Sequence, residues 1–198
     1  MRVFEDVYAY IWGKAFRDVS NTFILKKDSL ILIDPGRYKS FTNLYGLMRN
    51  DGIRVNDIDY VVNTHLHLDH CESNPMFKRH GALLSFYGKN NLIPDVNVFE
   101  LGKSFGLEVI HTPGHTQDSI TIYIPEYEAV ICGDLIFENG VPGRTDLYDS
   151  NKRYMKRSLE LIQSYDSKYL FPGHGRLVEG REGIRVLFDK AILILEKY

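Results

Sequence analysis

The chain has 198 residues, of which 44% are apolar, and this size suits a single domain spanning residues 1–198. Lys and Arg number 24 against 26 Asp and Glu, a formal charge of −2, which favours a small-molecule partner over nucleic acid or an anionic membrane. With no apolar run of the roughly 18 residues that a membrane span needs, no secretory signal and only two cysteines, we expect a cytoplasmic protein.

Runs rich in Val, Ile and Tyr alternate with longer amphipathic stretches, a pattern typical of mixed α/β architecture. Two strands at 22–25 and 30–33 flank a turn at 27–29, and a helix follows over 41–50. Further elements are strands at 60–63, 82–86, 107–111, 119–124, 129–132 and 168–171, and helices at about 69–80, 152–163 and 183–196.

Residues 65–70 read His-Leu-His-Leu-Asp-His, which places four metal-binding side chains in six positions. His65 and His67 follow a predicted strand two residues apart, so an extended chain points both to the same side. Asp69 and His70 begin a predicted helix, where adjacent side chains diverge by about 100°, so one turn can supply two neighbouring ions. A histidine-rich loop without ligands would instead bury several unpaired polar groups. The motif therefore predicts a metal site.

Three more ligand-type residues follow predicted strands on turns. His115 comes after Pro113 and Gly114, Asp134 follows the strand at 129–132, and His174 lies between two glycines. Each alone is a weak signal, because a lone histidine in a loop more often has a structural hydrogen bond. Together with the first motif they describe four strand ends that deliver ligands to one rim of a sheet.

The loop 137–150 is long enough to indicate a functional segment. Within it, Arg144 and Tyr148 are candidate substrate-binding residues. An internal ion pair of Arg144 with Asp146 or another acid is favoured over recognition of a substrate carboxylate. Outside the loop, Asp34 is interpreted as a turn cap beneath the site, and Cys71 as a small core residue rather than a thiolate ligand.

This ordered set of residues resembles the metallo-β-lactamase fold superfamily, and the turn at Asp34-Pro35-Gly36 adds to the resemblance. The resemblance implies a four-layer αββα sandwich with the metal site at one edge of its sheets. It also implies two ions with one shared ligand. The implied ligands are His65, His67 and His115 for the first ion, Asp69, His70 and His174 for the second, and Asp134 as the bridge.

Within the superfamily, residues 133–137 and 143–146 look most like the glyoxalase II branch of thioester hydrolases, and nearly as much like persulfide dioxygenases. A β-lactamase is less expected, because the common zinc β-lactamases have cysteine where this chain has Asp134. About 24 residues follow His174, so we expect no additional C-terminal helical substrate domain of the kind that grips glutathione. Residues 71–74 and 117–118 depart from the family pattern beside the ligands.

We therefore expect a dinuclear hydrolase in which a hydroxide shared by the ions attacks a small thioester or ester. Asp69 would orient this hydroxide and relay its proton. The oxygen and nitrogen ligands suit Zn²⁺, our first choice, as well as Fe²⁺ or Mn²⁺. The alternatives are a mononuclear iron persulfide dioxygenase and a non-catalytic, metal-stabilised binding protein. The last is disfavoured because structural sites normally close their coordination shell.

Overall fold

The computed structural model describes residues 2–13, 16, 18–88 and 92–197. Its first sheet has six strands in the order β1 to β6. Their bounds are Val7–Tyr10, Thr22–Lys26, Leu30–Ile33, Tyr60–Val62, Leu83–Phe86 and Val96–Asn97. The first three strands pair antiparallel, and β3 to β6 pair parallel. The carboxyl ends of β3, β4 and β5 therefore meet at one edge of the sheet.

The second sheet has five strands in the order β11-β10-β9-β8-β7. In chain order, β7 to β11 are Glu108–His111, Ile120–Ile124, Ala129–Gly133, Tyr169–Pro172 and Val178–Glu179. Strands β9 and β10 run parallel, and the other neighbours pair antiparallel. A parallel pair needs a crossover connection, and the helix Lys152–Gln163 lies within the segment that joins β9 to β10. The two strands thus also end at a common edge.

Six α-helices accompany the sheets in the described residues. Helices α1 to α6 are Phe41–Asn50, Leu68–Cys71, Asn74–Lys78, Val98–Ser104, Lys152–Gln163 and Arg181–Lys197. None of the described helices combines the length and apolar character that a membrane crossing requires.

Three apolar cores separate four layers. Because side chains alternate along a strand, Phe23 and Leu25 of β2 face the second sheet while Ile24 faces outward. Helices α1 and α3 cover the outer face of the first sheet, and α5 and α6 cover the outer face of the second. The inner core packs β2 and β3 against β8 and β9. This is the αββα sandwich expected above, and the fold class is confirmed.

Most predicted elements are confirmed, and α1 and α5 have the predicted bounds. The single helix predicted over about 69–80 is wrong, because the chain turns between α2 and α3. At this turn the Ser73 N–H donates to the carbonyl of Gly36, and the buried amides of Asn63 and Asn74 exchange hydrogen bonds of 2.7 and 3.3 Å. The residues that make these contacts with the turn lie in other segments of the chain. Strands β1, β6 and β11 and helix α4 were not predicted.

Ion pairs outside the apolar core also link the two sheets. Lys27, just after β2, lies 2.6 Å from the carboxylate of Asp6 and 2.8 Å from that of Glu126, which precedes β9. The hydroxyl of Tyr127 also donates to Asp6. Burial alone would raise the pKa of Asp6, but the hydrogen bonds from Lys27 and Tyr127 lower it below its ordinary value.

We expect Asp6→Asn to lower the free energy of unfolding by about 1 kcal/mol near neutral pH. Since the folded-state pKa of Asp6 is depressed, its contribution is fully present above the unfolded-state pKa and is lost as pH falls through the folded-state value. Urea denaturation at several pH values should therefore show that the difference in unfolding free energy between variant and wild type disappears below about pH 4. Glu5→Gln is the control, since that acid is exposed. A difference in unfolding free energy that stays constant down to about pH 2 would contradict a stabilising role for the Asp6 carboxylate.

Candidate metal centre

Seven histidine and aspartate side chains converge where β4, β9 and β10 end, and they form two groups. Within each group, the atoms that could bind a metal all lie within 4.8 Å of one another. The first group is His65, His67 and His115, and the second is Asp69, His70, Asp134 and His174. The structure thus brings together every residue that the sequence suggested as a ligand.

The first group is held by the loops around it. The Nδ1 atom of His67 lies 3.1 Å from Nε2 of His65 and 3.0 Å from Nε2 of His115. On its other side, Nδ1 of His115 lies 3.0 Å from the backbone carbonyl of Arg144, which fixes the ring orientation. The buried carboxylate of Asp118 accepts a 2.8 Å hydrogen bond from the Leu66 N–H between the two motif histidines. The departure at residues 117–118 therefore supports the site.

The second group depends on Asp34, a fully buried residue at the end of β3. Its Oδ1 accepts a hydrogen bond from the Thr64 N–H at 2.8 Å, and its Oδ2 accepts one from the Thr64 hydroxyl at 2.6 Å. The same Oδ2 lies 2.8 Å from Nδ1 of His70. Interpreting Asp34 as a turn cap is therefore incomplete, since its carboxylate also orients His70, as carboxylates behind metal-binding histidines commonly do. The backbone of Asp34 is in the left-handed region, with φ of 53°.

His174 is placed by a buried asparagine that sequence analysis did not single out. The Asn21 side-chain amide donates to the carbonyls of Pro172 and Gly175, at 3.0 and 2.9 Å. Its backbone N–H donates to the carbonyl of Gly173. Held in this way, Nε2 of His174 lies 3.1 Å from Oδ2 of Asp69. No local pattern marks Asn21, because the carbonyls that it binds in the His174 turn lie more than 150 positions away.

Asp134 faces both groups. One of its carboxylate oxygens, Oδ1, lies 3.3 Å from Nε2 of His70 and 3.6 Å from Nε2 of His174. The other, Oδ2, lies 3.6 Å from Nε2 of His115 in the first group. Burial would raise the pKa of Asp134, but the neighbouring histidines, His70 first, lower it, so the carboxylate is the favoured form.

The buried atoms of this site fit divalent metal ions. Nε2 of His70 and Oδ1 of Asp134 are buried and form no hydrogen bond within the described residues, although such groups normally have a partner. Burial, followed by the nearby imidazoles, lowers the pKa of His65 well below its usual range. A neutral imidazole is the form that binds metal. The neutral form of His65 and the two unpaired atoms therefore suit metal binding. For His70, burial would lower the pKa, but the carboxylates of Asp34 and Asp134 raise it well above its usual value, so metal binding there displaces a proton.

Two glycines leave the space that the ligands occupy. A Cβ atom on Gly173 would lie 2.4 Å from Oδ1 of Asp134 and 2.8 Å from Cε1 of His70. A Cβ atom on Gly143 would lie 1.9 Å from the backbone oxygen of Asp134. Any larger residue would displace the metal-binding groups, so both positions require glycine.

The other predicted site residues lie outside both groups. Arg144 forms the internal pair, with two 2.9 Å contacts to the carboxylate of Asp146, and contributes its backbone carbonyl to the site. Tyr148 is fully exposed and lines a cavity beside the His115 loop. Cys71 lies outside the two groups, its Sγ faces the carbonyl of Leu66, and burial raises the pKa of its thiol to about 12.

Comparison with protein families gives a match to the metallo-beta-lactamase superfamily over residues 15–94 and 88–174. A probable metallo-hydrolase of Methanocaldococcus jannaschii is 32% identical over 206 residues, covering 89% of this chain and 95% of the relative. A hydroxyacylglutathione hydrolase of Brucella ovis is 34% identical over 126 residues, covering 59% of this chain and 48% of the relative. An atrochrysone carboxyl ACP thioesterase of Aspergillus fumigatus is 29% identical, and the match covers 82% of this chain and 53% of the relative. The chain thus spans about half the length of the last two relatives.

Solved structures share the fold at lower identity. A metallo-beta-lactamase family protein of Thermus thermophilus aligns with a TM-score of 0.79 at 14% identity, covering 99% of this chain and 81% of that one. The metallo-beta-lactamase FIM-1 of Pseudomonas aeruginosa, solved in a mono-zinc form, aligns with a TM-score of 0.76 at 23% identity, covering 99% and 93%. A protein solved in a di-iron-bound form aligns with a TM-score of 0.72 at 23% identity, covering 87% and 94%.

We expect Asp34→Asn to weaken metal retention by the second group roughly 10- to 100-fold. The amide preserves size and tolerates the left-handed backbone, but one of the carboxylate oxygens becomes an NH₂ group and cannot accept from Thr64 or His70. Metal content per chain after competition with a chelator measures the effect. Asp166→Asn is a matched control, because Asp166 is also left-handed, with φ of 47°, but exposed. Wild-type retention in Asp34→Asn would contradict the role assigned to this carboxylate.

Proposed function

The chain belongs to the metallo-beta-lactamase superfamily, and we propose that within it the protein is a dinuclear, metal-dependent hydrolase of small thioesters. The observation that carries the proposal is the pair of adjacent ligand groups with Asp134 between them. The thioester substrate is supported by the relatives named hydroxyacylglutathione hydrolase and ACP thioesterase. It is also supported by the residues around Asp134 and Arg144 that resemble the glyoxalase II branch.

The residues of the first group would hold one ion and those of the second group the other, with Asp134 shared. Divalent ions bound there lower the pKa of a coordinated water and polarise an acyl carbonyl, which is the chemistry that hydrolysis requires. Imidazole and carboxylate donors suit Zn²⁺, which we propose, and also Fe²⁺ and Mn²⁺. The chain itself orients these donors through Asp34, Asn21 and the carbonyl of Arg144.

Asp69 is the group best placed to move a proton. Its side chain is about one quarter exposed, at 24%, so a substrate can approach it from solvent. Burial would raise its pKa, but the hydrogen bond from His174 and the charges of His70 and His174 lower it, so the carboxylate is the favoured form. A carboxylate can accept a proton from the attacking water and return it to the leaving group. A thiolate leaves readily, so the return step needs little assistance.

The first ligand group also favours a second candidate function, an iron persulfide dioxygenase with one metal. His65, His67 and His115 form a complete group of three ligands without the second set. Three protein ligands leave coordination positions open for other molecules. This candidate leaves Asp69, His70 and His174 without a metal.

Metal analysis and substrate turnover distinguish these functions. Protein produced with both zinc and iron in excess should contain about two ions per chain and hydrolyse a panel of small thioesters. About one iron per chain, with oxygen uptake on a persulfide, would overturn the hydrolase proposal in favour of the dioxygenase. Stable metal binding without turnover of any thioester, ester or persulfide would indicate a non-catalytic binding protein.

We expect Asp69→Asn to reduce the turnover number for thioesters roughly 10²- to 10⁴-fold, because the amide cannot accept a proton. Metal content is measured in the same preparation, so that loss of an ion is separated from loss of proton transfer. Glu72→Gln is the matched control, an acid of the same segment that contacts Arg37 outside the site. Wild-type turnover in Asp69→Asn would rule out the proton-transfer role.

A further inference from the structure

An aromatic cavity of about 680 Å³ adjoins the turn that carries His115. We call it the tyrosine cavity, and its aromatic side chains are Tyr87, His111, Tyr148 and Tyr154. In chain order, these residues follow β5, end β7, lie in the loop before α5 and lie in α5 itself. A cavity of this volume is within the range of small-molecule sites in proteins.

Two of the rings form a flat and supported wall. Tyr87 and His111 stack with their ring centroids 4.2 Å apart and their planes 12° from parallel. Phe99 of α4 makes an edge contact with Tyr87, with their centroids 5.9 Å apart. Nε2 of His111 lies 2.8 Å from the carbonyl of Gln117 and therefore carries a proton, because a carbonyl can only accept. These contacts fix the orientation of both stacked rings.

The other two rings of the tyrosine cavity are open to solvent. Tyr148 is fully exposed, and Tyr154 is about half exposed, at 47%. Aromatic rings are large apolar groups that pack against other rings in offset-stacked or edge-to-face pairs. Exposed rings that share a cavity with a stacked pair therefore indicate a site for another flat ring.

The remaining wall offers neutral groups rather than a free charge. Among its described residues there is no lysine or arginine, and its one acid, Asp149, already has an interaction partner within the protein. Gln117, Ser150 and Asn151 add neutral hydrogen-bonding groups. The side-chain oxygen of Asn151 caps α5 by accepting from the Tyr154 N–H at 3.0 Å. The described wall thus favours an uncharged aromatic group over an anion.

The loop that carries Tyr148 is anchored at both ends to the turn of His115. At one end, the carbonyl of Arg144 lies 3.0 Å from Nδ1 of His115. At the other end, the Asn151 N–H donates to the carbonyl of Gly114 at 2.8 Å. Tyr148 lies between these two anchors. The tyrosine cavity and the first ligand group are therefore built on the same turn.

The position of the cavity decides which part of a thioester can enter it. Gln117 lines the cavity, and its Cα atom lies within about 7 Å of that of His115, the most that two residues of chain can span. In the proposed reaction, the proton of the leaving thiolate comes from Asp69, which belongs to the second group. A thioester whose sulfur faces Asp69 directs its acyl part towards His115 and the cavity.

We propose that the tyrosine cavity binds the aromatic ring of the substrate's acyl group, so that the preferred substrates are thioesters of aryl-substituted carboxylic acids. The inference rests on the proposed thioester hydrolysis. Aromatic faces also attract cations, but the divalent ions of the proposed centre would repel a cationic substrate.

The ring takes no part in bond making. In the reaction, the acyl carbon forms a bond to the oxygen of water and its bond to sulfur breaks. One proton of water leaves on the thiol, and the other stays with the carboxylic acid. Binding of the ring raises kcat/KM by holding the carbonyl at the metal centre.

The first test compares thioesters of one thiol, N-acetylcysteamine, that differ only in the acyl group. The 3-phenylpropanoyl group carries a flat ring, and the 3-cyclohexylpropanoyl group carries a saturated ring that cannot stack. We expect kcat/KM to be about 3- to 10-fold higher for the phenyl substrate. Pairs with shorter and longer spacers are included, because the reach of the acyl group decides whether its ring enters the cavity. No preference for phenyl at any spacer would overturn the inference.

Replacement of the exposed rings locates this preference. In Y148L/Y154L, both rings are replaced by apolar side chains that cannot stack, so we expect the phenyl-to-cyclohexyl ratio of kcat/KM to fall to about one. Y38L/Y45L is the matched control, since Tyr38 and Tyr45 are also exposed but lie before and within α1. A ratio that is unchanged in Y148L/Y154L, or lost equally in Y38L/Y45L, would show that the ring binds elsewhere.

Calorimetry with the product acids provides a readout that does not depend on turnover. Metal-loaded wild-type protein should bind 3-phenylpropanoate about 3- to 10-fold more tightly than 3-cyclohexylpropanoate, and Y148L/Y154L should bind both acids equally. If the wild type has no preference between the acids but binds tetramethylammonium, and Y148L/Y154L does not bind it, the cavity is a cation site and the inference is wrong.

Two outcomes separate the inference from the proposed function. Hydrolysis of cyclohexyl thioesters as fast as that of phenyl thioesters at every spacer leaves the hydrolase standing and overturns the inference. Absence of hydrolysis for every thioester, together with the expected calorimetric preference for the phenyl acid, defeats the proposed function and leaves the ring site standing.

Discussion

The site depends on one buried carboxylate. Asp34 links the end of β3 to Thr64 beyond the end of β4, and to the ring of His70 in α2. Thr64 in turn meets the second sheet, since a Cβ atom on Gly133 would lie only 2.5 Å from its hydroxyl oxygen. One chain of contacts therefore fixes the spacing between the two sheets at the edge where the ligands gather. Without the Asp34 carboxylate, several buried donors would have no acceptor, which is costly in a low-dielectric interior.

The ligand set itself opposes folding unless something binds to it. Burial penalises protonation of His65 and ionisation of Asp134, and two atoms of the second group have no hydrogen-bond partner within the described residues. Backbone contacts nevertheless hold the turns in place, such as the bond from the Gly173 N–H to the carbonyl of Gly133. The fold thus pre-organises the donors, and metal binding offsets the desolvation that this arrangement imposes.

Sequence reasoning succeeded where chemistry or periodicity is local. The density of ligands at residues 65–70 and the amphipathic repeats of α1 and α5 can be recognised within a few turns of chain. It failed where a contact between distant segments decides the structure. The break between α2 and α3 depends on the carbonyl of Gly36, and the placement of His174 depends on Asn21. Both contacts join segments that are far apart in the sequence, so no pattern local to the helix or to His174 could predict them.

The metal centre and the long loop beside it are constrained to different degrees. The metal-binding residues sit on short turns at strand ends, where glycines and buried hydrogen bonds permit little variation. The loop between β9 and α5 is less constrained, since Tyr148 is fully exposed and the Arg144 side chain pairs with Asp146 at the surface. The loop orients His115 through the backbone carbonyl of Arg144, so substitution of the Arg144 or Tyr148 side chain leaves that contact in place. The family-typical ligands therefore constrain the reaction, whereas exposed side chains of this loop, such as Tyr148, can differ without disturbing the ligand turns.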